Sequence, residues 1–392
     1  MEALQLIMKN VSRVGSEGRF GKIPGGNLFS SLARYATKPA APRSNVAPTG
    51  SRLCRRLAIG DISRLATLCI AGQILAQLPS VGQAAERLIA WGDINYDLQL
   101  TPGPQPRKAD DIAAGDFHSV LLNSDGSVSA WGDDRFGQIN VPSVVLRKGS
   151  TAAVAAGNVH SLALTRQKTV VSWGPTAGRT GDFGQCYVPA GLNRVAAIAA
   201  GAVHSLALKE DGTVVAWGAN FNGQCKVPTG LRGVVAIAGG MYHSVALKSD
   251  GTVVAWGDDR FGQTQVPQDL DDVVAIAAGG FHTLALKRDG TVVSWGGYGL
   301  AQIPVPDGLT DVVAIATGDH HSLALRSNGT LVAWGFNDAG QLNVPAGLQR
   351  IVGIDARGSH SMVLVEAKPP VRSAPAPRIN QERQGWRVPY EN

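Results

Sequence analysis

"GFHTLALKRDGTVVSWG" (residues 280–296) is a near copy of "AVHSLALKEDGTVVAWG" (residues 202–218), and the two residues before the histidine are among those that change. After His204 the chain alternates, with Leu206 and Leu208 on one face and Ala207 on the other, which is the period of a strand. "DG" predicts a two-residue turn in which Gly212 accepts positive φ cheaply, and "TVVAWG" returns as an antiparallel strand. The whole unit, "RVAAIAAGAVHSLALKEDGTVVAWGANFNGQCKVPTGL" (residues 194–231), opens with a buried apolar strand, "VAAIAA". It closes with "GQCKVP", a candidate fourth edge strand, where Pro228 is tolerated because edge strands have spare amides.

Counting the two markers shows how far the unit repeats. His118, His160, His204, His243, His282, His321 and His360 are separated by 42, 44, 39, 39, 39 and 39 residues. Trp91, Trp131, Trp173, Trp217, Trp256, Trp295 and Trp334 are separated by 40, 42, 44, 39, 39 and 39. Four antiparallel strands per period near 40 make a propeller blade, and no single unit can bury its own faces. The ends are complementary. "RLIAWG" (87–92) has a tryptophan strand with no histidine strand before it, and "HSMVLVEA" (360–367) has a histidine strand with no tryptophan strand after it. Together they make a seventh blade and remove an open edge. The expected fold is all-β, a seven-bladed β-propeller over residues 85–367, closed by pairing of its N- and C-terminal strands.

These residues resemble a known family. "G-x-x-H-S-L-A-L-K-x-D-G-T-V-V-A-W-G" followed by "G-Q" is similar to the repeat of the regulator of chromosome condensation family, and it recurs in register over roughly residues 87–367. The resemblance implies a seven-bladed propeller. Within the family the compact repeats look more like a bacterial branch that includes a secreted β-lactamase inhibitor propeller. The longer repeats of the eukaryotic exchange factor, and the wedge by which it opens its small GTPase, have no counterpart of that length here.

Charge and cysteine usage narrow the functional classes. The net charge of +6 is confined to the leader: residues 1–56 carry ten Lys/Arg against two Glu, leaving 26 basic against 28 acidic residues beyond. A near-neutral body supplies no broad phosphate-binding surface, so nucleic acid is not an expected partner. The four cysteines form no C-x-x-C or Cys/His cluster, and Cys186 and Cys225, at equivalent places in successive repeats, are expected to be small apolar fillers. Residues 1–51 are expected to be a basic disordered extension. Residues 52–84 have a basic start, an apolar stretch and small residues before Ala85, the order of a signal peptide, so the protein is expected to be exported (periplasmic, cell-surface or secreted), with a cytoplasmic address as the alternative. The apolar stretch is too short to span a membrane comfortably. Residues 368–392 are proline-rich and expected to be a tail or linker.

The histidines lack a carboxylate at fixed spacing, so they are expected to be structural, as are the tryptophans. His320, in "GDHHS", stands off the pattern. No nucleophile elbow, phosphate loop, H-E-x-x-H or calcium loop occurs; no enzyme activity, cofactor or metal is expected. Strand direction places the stretch before each histidine and the stretch after each tryptophan on one rim, and the D-G turns and "VP.GL" links on the other. The first rim varies while the second is nearly constant, and loops on a rigid frame are where recognition resides. Its candidate contact residues are Phe117, Tyr242, Phe281, Tyr298 and Phe336, with Asp133, Asp134, Asp258, Asp259 and Arg260. Phe136, Phe183, Phe221 and Phe261 are expected to wedge between blades. The expected function is non-catalytic recognition of another macromolecule, most simply a protein, by a monomer. The alternatives are a guanine nucleotide exchange factor-like regulator of a small GTPase and a propeller hydrolase or lyase acting on polysaccharide.

Overall fold

The structure is a computed structural model, described for residues 86–92, 108–297 and 304–366. The extension (1–51), the signal-like segment (52–84), the tail (368–392) and Tyr298 lie outside the described residues.

The first strand, β1, is Glu86–Gly92. Six triplets follow, the first two being β2–β4 (Ala109–Ala114, His118–Asn123, Val128–Gly132) and β5–β7 (Thr151–Ala156, Ser161–Thr165, Val170–Trp173), with a single helical turn, α1 (Ser143–Leu146), between them. Next come β8–β10 (Val195–Ala200, His204–Lys209, Val214–Gly218) and β11–β13 (Val234–Gly239, His243–Lys248, Val253–Gly257). The last two are β14–β16 (Val273–Ala278, His282–Lys287, Val292–Gly296) and β17–β19 (Val312–Thr317, His321–Arg326, Leu331–Gly335), followed by β20 (Ile351–Arg357) and β21 (His360–Glu366).

The described residues form seven antiparallel three-stranded sheets, in six of which the histidine strand lies between its two sequence neighbours. The seventh takes strands from both ends of the domain in the order β1-β21-β20, with β1 and β21 registered from Glu86↔Glu366 to Gly92↔His360. No sheet closes on itself. The seventh packs against β17 on one side and β2 on the other.

Two details differ from the sequence expectation. The fourth edge strand does not form, because "GQCKVP" is held as consecutive turns, with Lys226 N–H donating to the Gly223 carbonyl (2.9 Å), Val227 N–H to Cys225 (3.1 Å) and Leu231 N–H to Pro228 (3.2 Å). Amides that bond within their own segment cannot extend a ladder. The hairpin loop has three residues, not two: Lys209 N–H donates to the Thr213 carbonyl (2.8 Å) and Gly212 N–H to Lys209 (2.9 Å), with Gly212 at φ 75°. That is a type I turn followed by a left-handed residue. Asp211 fastens it by accepting from Thr213 N–H at 3.0 Å, so "DGT" acts as a unit.

The core lies between sheets. Leu206 and Leu208 of β9 join Ile237, Ala246 and Trp256 of the next sheet, while Ala207 faces the previous sheet beside Leu162 and Leu164. Large residues on one face meet small ones on the next, which is why "LAL" recurs.

Candidate functional site

The histidine strands build a lattice between sheets, and that lattice positions the rim. At six interfaces a histidine Nε2 lies 2.8–3.0 Å from a Ser or Thr hydroxyl of the following sheet: His118–Ser161, His160–Ser205, His204–Ser244, His243–Thr283, His282–Ser322 and His321–Ser361. Ser161, Ser205, Ser244, Thr283 and Ser361 donate their one hydroxyl proton to the backbone carbonyl of Gln138, Gln185, Gln224, Gln263 and Gln341 respectively. At those interfaces the imidazole must therefore be the donor, protonated at Nε2. The same five carbonyls accept the indole N–H of Trp173, Trp217, Trp256, Trp295 and Trp91 at 2.8–3.0 Å. Burial pushes the imidazoles of His118, His204, His282 and His321 down to about 3 and that of His243 to about 4. Neutral imidazoles with committed protons are struts, as expected. The glycine three residues upstream is required by the ring itself: a Cβ on Gly201 would sit 1.9 Å from His204 Cε1.

Backbone bonds confirm that the two variable stretches share one rim. Asp133 N–H donates to the Phe117 carbonyl (2.8 Å), Asp258 to Tyr242 (2.9 Å) and Phe336 to His320 (2.9 Å). A second set passes from sheet to sheet through the residue two before each histidine: Asp116 to Gly157, Asn158 to Ala202, Ala202 to Gly240, Met241 to Gly279, Gly280 to Asp319 and Asp319 to Gly358, at 2.9–3.3 Å.

On this rim the rings form a continuous run. Phe261 and Phe281 meet edge to face (centroids 5.2 Å), Phe281 stacks on His320 (5.5 Å, 26°) and His320 meets Phe336 (5.6 Å). Phe336 is exposed, and Phe281 and His320 are half-buried. The off-pattern His320 thus joins candidate residues from two sheets. Phe117 lies apart from that run, under the Arg135 guanidinium (5.8 Å). Beside it a groove of about 1100 Å³ opens between the loops of the first two triplets, lined by Arg135, Phe136, Pro175, Arg179 and Tyr187 among others. Phe221, expected in the core, is 65% exposed and packs edge to face on Phe183. Phe221 stands two residues before the glycine, with Asn222 in the place that Phe136, Phe183 and Phe261 hold in the other units; those three stay half-buried.

The acidic candidates divide in two. Asp133 and Asp258 are buried, bonded to Arg135 (2.9 Å) and Gln138 (3.0 Å), and to Arg260 (2.9 Å) and Gln263 (3.1 Å). They anchor loops, whereas Asp134, Asp259 and Arg260 are exposed.

The channel at the centre of the domain holds residues the repeat pattern hides. Ala113, Ala155, Ala199, Ala238, Ala277, Ala316 and Asp355, one from each sheet, line a cavity of about 60 Å³. Arg357 is 7% exposed and donates to the carbonyls of Ala200 (3.2 Å) and Gly239 (3.1 Å) and to Asn158 Oδ1 (3.4 Å). Its Nε lies 3.5 Å from Asp116 Oδ1. Burial, then the Asp319 carboxylate, push Asp116 up to about 8 against the pull of Arg357. Burial likewise raises Asp355 to about 7, although it accepts from Ala114 N–H (2.7 Å) and Ala356 N–H (2.9 Å). Burial raises the Tyr242 hydroxyl, and the Asp116 and Asp319 carboxylates add to the effect. Sequence reasoning missed Arg357 and Asp355; the available signal was "GIDARGSH" (353–360), where the other six units have alanine and glycine at the positions of Asp355 and Arg357.

Among the described residues no group of three or more His, Cys, Asp or Glu is placed to hold a metal ion, and no helix is long and apolar enough to cross a membrane. Cys186 and Cys225 are free and half-buried.

The sequence pattern of the RCC1-like domain matches residues 80–342. The chain belongs to the RCC1-like domain family. No curated protein sequence matches it. Among solved structures it is similar to Prp20p from Saccharomyces cerevisiae, described with its binding properties to Gsp1p and histones (22% identity, TM-score 0.60, 78% of this chain and 95% of that one). It is also similar to human WBSCR16 (21%, 0.57, 73% and 100%) and to the CRINKLY WD40 ectodomain of the Arabidopsis thaliana receptor kinase ACR4 (20%, 0.51, 67% and 99%). At these identities the likeness is one of fold. The narrower resemblance of this RCC1-like domain to the β-lactamase inhibitor propeller is not confirmed by these matches.

Proposed function

We propose that this RCC1-like domain is a non-catalytic binding propeller that recognises a protein through the varied rim. The observation that carries the reading is the run Phe261–Phe281–His320–Phe336, which crosses a sheet boundary and ends on an exposed ring. Aromatic anchors among charged residues are the composition of a protein-binding patch. Asp259 and Arg260, next to Phe261, form its charged surround, with Tyr298 a further candidate; Asp134 lies with Arg135 at the separate groove. Prp20p, of the same fold, is described as binding Gsp1p and histones, which favours a protein over a small molecule as the partner. The lattice histidines are buried and burial holds His118 near 3, which makes them poor general bases at neutral pH and favours binding over hydrolysis.

The test is paired capture from the protein's own host with the full chain and with a Phe281→Ala/Phe336→Ala variant. A protein retained by the first and lost by the second supports the reading; partners retained equally by both overturn it. We further propose export, which the order of charge and apolar residues in 52–84 supports. An intact mass beginning near Ala85 is the expected result, and a cytosolic product retaining residues 52–84 the contrary one.

A further inference from the structure

The outer edge of β7 is left uncovered at the one large groove among the described residues. In the β6–β7 ladder Ala163 stands opposite Val171 and Ser161 opposite Trp173, and Thr165 N–H donates to the Thr169 carbonyl at the turn (2.9 Å). Residues 169, 171 and 173 therefore bond to β6, while Val170 and Ser172 between them turn their N–H and C=O groups outward. "GQCYVP" (184–189) lies beside this edge but spends its amides on itself, Tyr187 N–H on the Gly184 carbonyl (3.0 Å) and Val188 N–H on Cys186 (3.2 Å). Among the described residues nothing bonds to the backbone N–H or C=O of Ser172. The other outer strands share this alternation; β7 is set apart by the groove of about 1100 Å³, whose lining includes Ser172 and Gly174. The loop that builds the groove is an insertion. Trp173 and Gln185 are 12 residues apart, where Trp217 and Gln224, or Trp256 and Gln263, are seven apart. Asp182 fastens the inserted loop by accepting from Gly178 N–H (3.1 Å), Gly184 N–H (3.0 Å) and the Tyr187 hydroxyl (2.8 Å). The half-exposed Tyr187 ring is thereby fixed at the groove, with Phe136 and Pro175 as further apolar lining.

Resting on the reading that this domain binds a protein, we propose that the groove takes an extended segment of the partner as a fourth strand on β7, paired through Ser172 and carrying an apolar side chain at every second residue. A donor and an acceptor on one residue, both aimed out of a ladder, are matched by another extended backbone; a helix has already spent its own backbone groups internally. In such strand addition the main-chain bonds supply affinity, and pockets for alternate side chains supply selection. Phe136, Pro175 and Tyr187 are the lining suited to the apolar set. The insertion that widens the groove is thus accounted for, as is the missing fourth strand at this sheet.

The test uses the full chain and the acetylated, amidated peptide Glu-Thr-Val-Thr-Val-Thr-Glu as a strand probe. Its control is the same peptide N-methylated at the five central residues, which keeps the side chains and removes the donors. The probe should bind at least about tenfold more tightly than the methylated control by calorimetry. Hydrogen exchange resolved at single residues should show the Ser172 amide exchanging fast in the free chain and at least about tenfold slower with probe bound, with Val171 and Trp173 already slow because β6 holds them. Ser172→Pro removes only the outward donor, which edge strands tolerate, and should abolish probe binding. Ser172→Ala loses the same side-chain bond to the Ser161 carbonyl but keeps the amide, and should bind as the parent does. No probe binding at millimolar concentration, equal binding of the methylated control, or unchanged exchange at Ser172 in the parent chain would overturn the docking edge, whether or not the proline variant folds. If the edge fails while capture still depends on Phe281 and Phe336, the rim reading stands.

Discussion

Lowering the pH from 7 to 5 tests the histidine lattice, because two groups of buried residues respond in opposite directions. Unfolded histidine titrates near 6.5, whereas burial holds His118, His204, His282 and His321 near 3 and His243 near 4. Between those values the unfolded chain binds the extra proton, so this stability is fully present above about 6.5 and is lost as pH falls. At pH 5 each imidazole costs about 2 kcal/mol, so the five together cost about 10 kcal/mol. Asp116 and Asp355 oppose this. Raised to about 8 and about 7, they take up their protons first in the folded state and so lend stability as pH falls, about 5 kcal/mol together between pH 7 and 5. The histidines win by about 5 kcal/mol, a large share of the 5–15 kcal/mol typical of a domain. Guanidinium titrations followed by tryptophan fluorescence at pH 7, 6 and 5 should show the midpoint falling. A His282→Gln variant should be weaker at pH 7 yet lose about 2 kcal/mol less on acidification. A midpoint unchanged or higher at pH 5 would refute neutral struts and mean that the carboxyls dominate.

Three further outcomes are expected. Gly201→Ala should cost about 2–3 kcal/mol by overpacking, since its Cβ would overlap the His204 ring at 1.9 Å; urea unfolding checks it, and a silent change would mean the ring can move. Trp91→Ala removes a buried indole of β1 and its bond to the Gln341 carbonyl, and should lower stability by about 3–5 kcal/mol if β1 is integral to the seventh sheet. Arg357→Ala strips Asp116 of its buried counter-cation and two carbonyls of a donor, and should cost about 3–5 kcal/mol; thermal unfolding indistinguishable from the parent would show that the channel ion pair is dispensable.

The fold was legible because its two markers are chemically demanding. An imidazole that needs a glycine three residues back, and an indole that needs a carbonyl, repeat wherever the lattice repeats, and the unpaired halves at Trp91 and His360 pointed to the β1–β21 pairing. The number of strands per sheet was not legible, because "GQCKVP" has strand-like residues whose amides are consumed by local turns. Glutamine went unnoticed as a partner: the lattice uses its backbone carbonyl, which every residue has, while its side-chain Oε1 accepts the N–H two residues back, as from Asn222 to Gln224. On the rim, Asp133 and Asp134 look alike as neighbours, yet one is buried under Arg135 and the other faces solvent. The channel mouth was hidden for a different cause. It is assembled from single departures in separate units, Asp116, Asp319 and Arg357, which are brought together only by the arrangement of the sheets.

The claim that recognition belongs to the varied rim is tested most directly by comparing partner affinity across the two rims of the same sheets. With the captured partner in hand, Kd should rise about 30-fold, or about 2 kcal/mol, for at least one of Tyr242→Ala, Phe281→Ala and Phe336→Ala. Lys248→Ala and Lys287→Ala, at the D-G turns on the opposite rim, should leave it nearly unchanged, since their pairs with Asp250 and Asp271 are surface ion pairs. If the lysine changes abolish binding while all three aromatic changes are tolerated, the varied rim is unconstrained loop and recognition resides on the constant one.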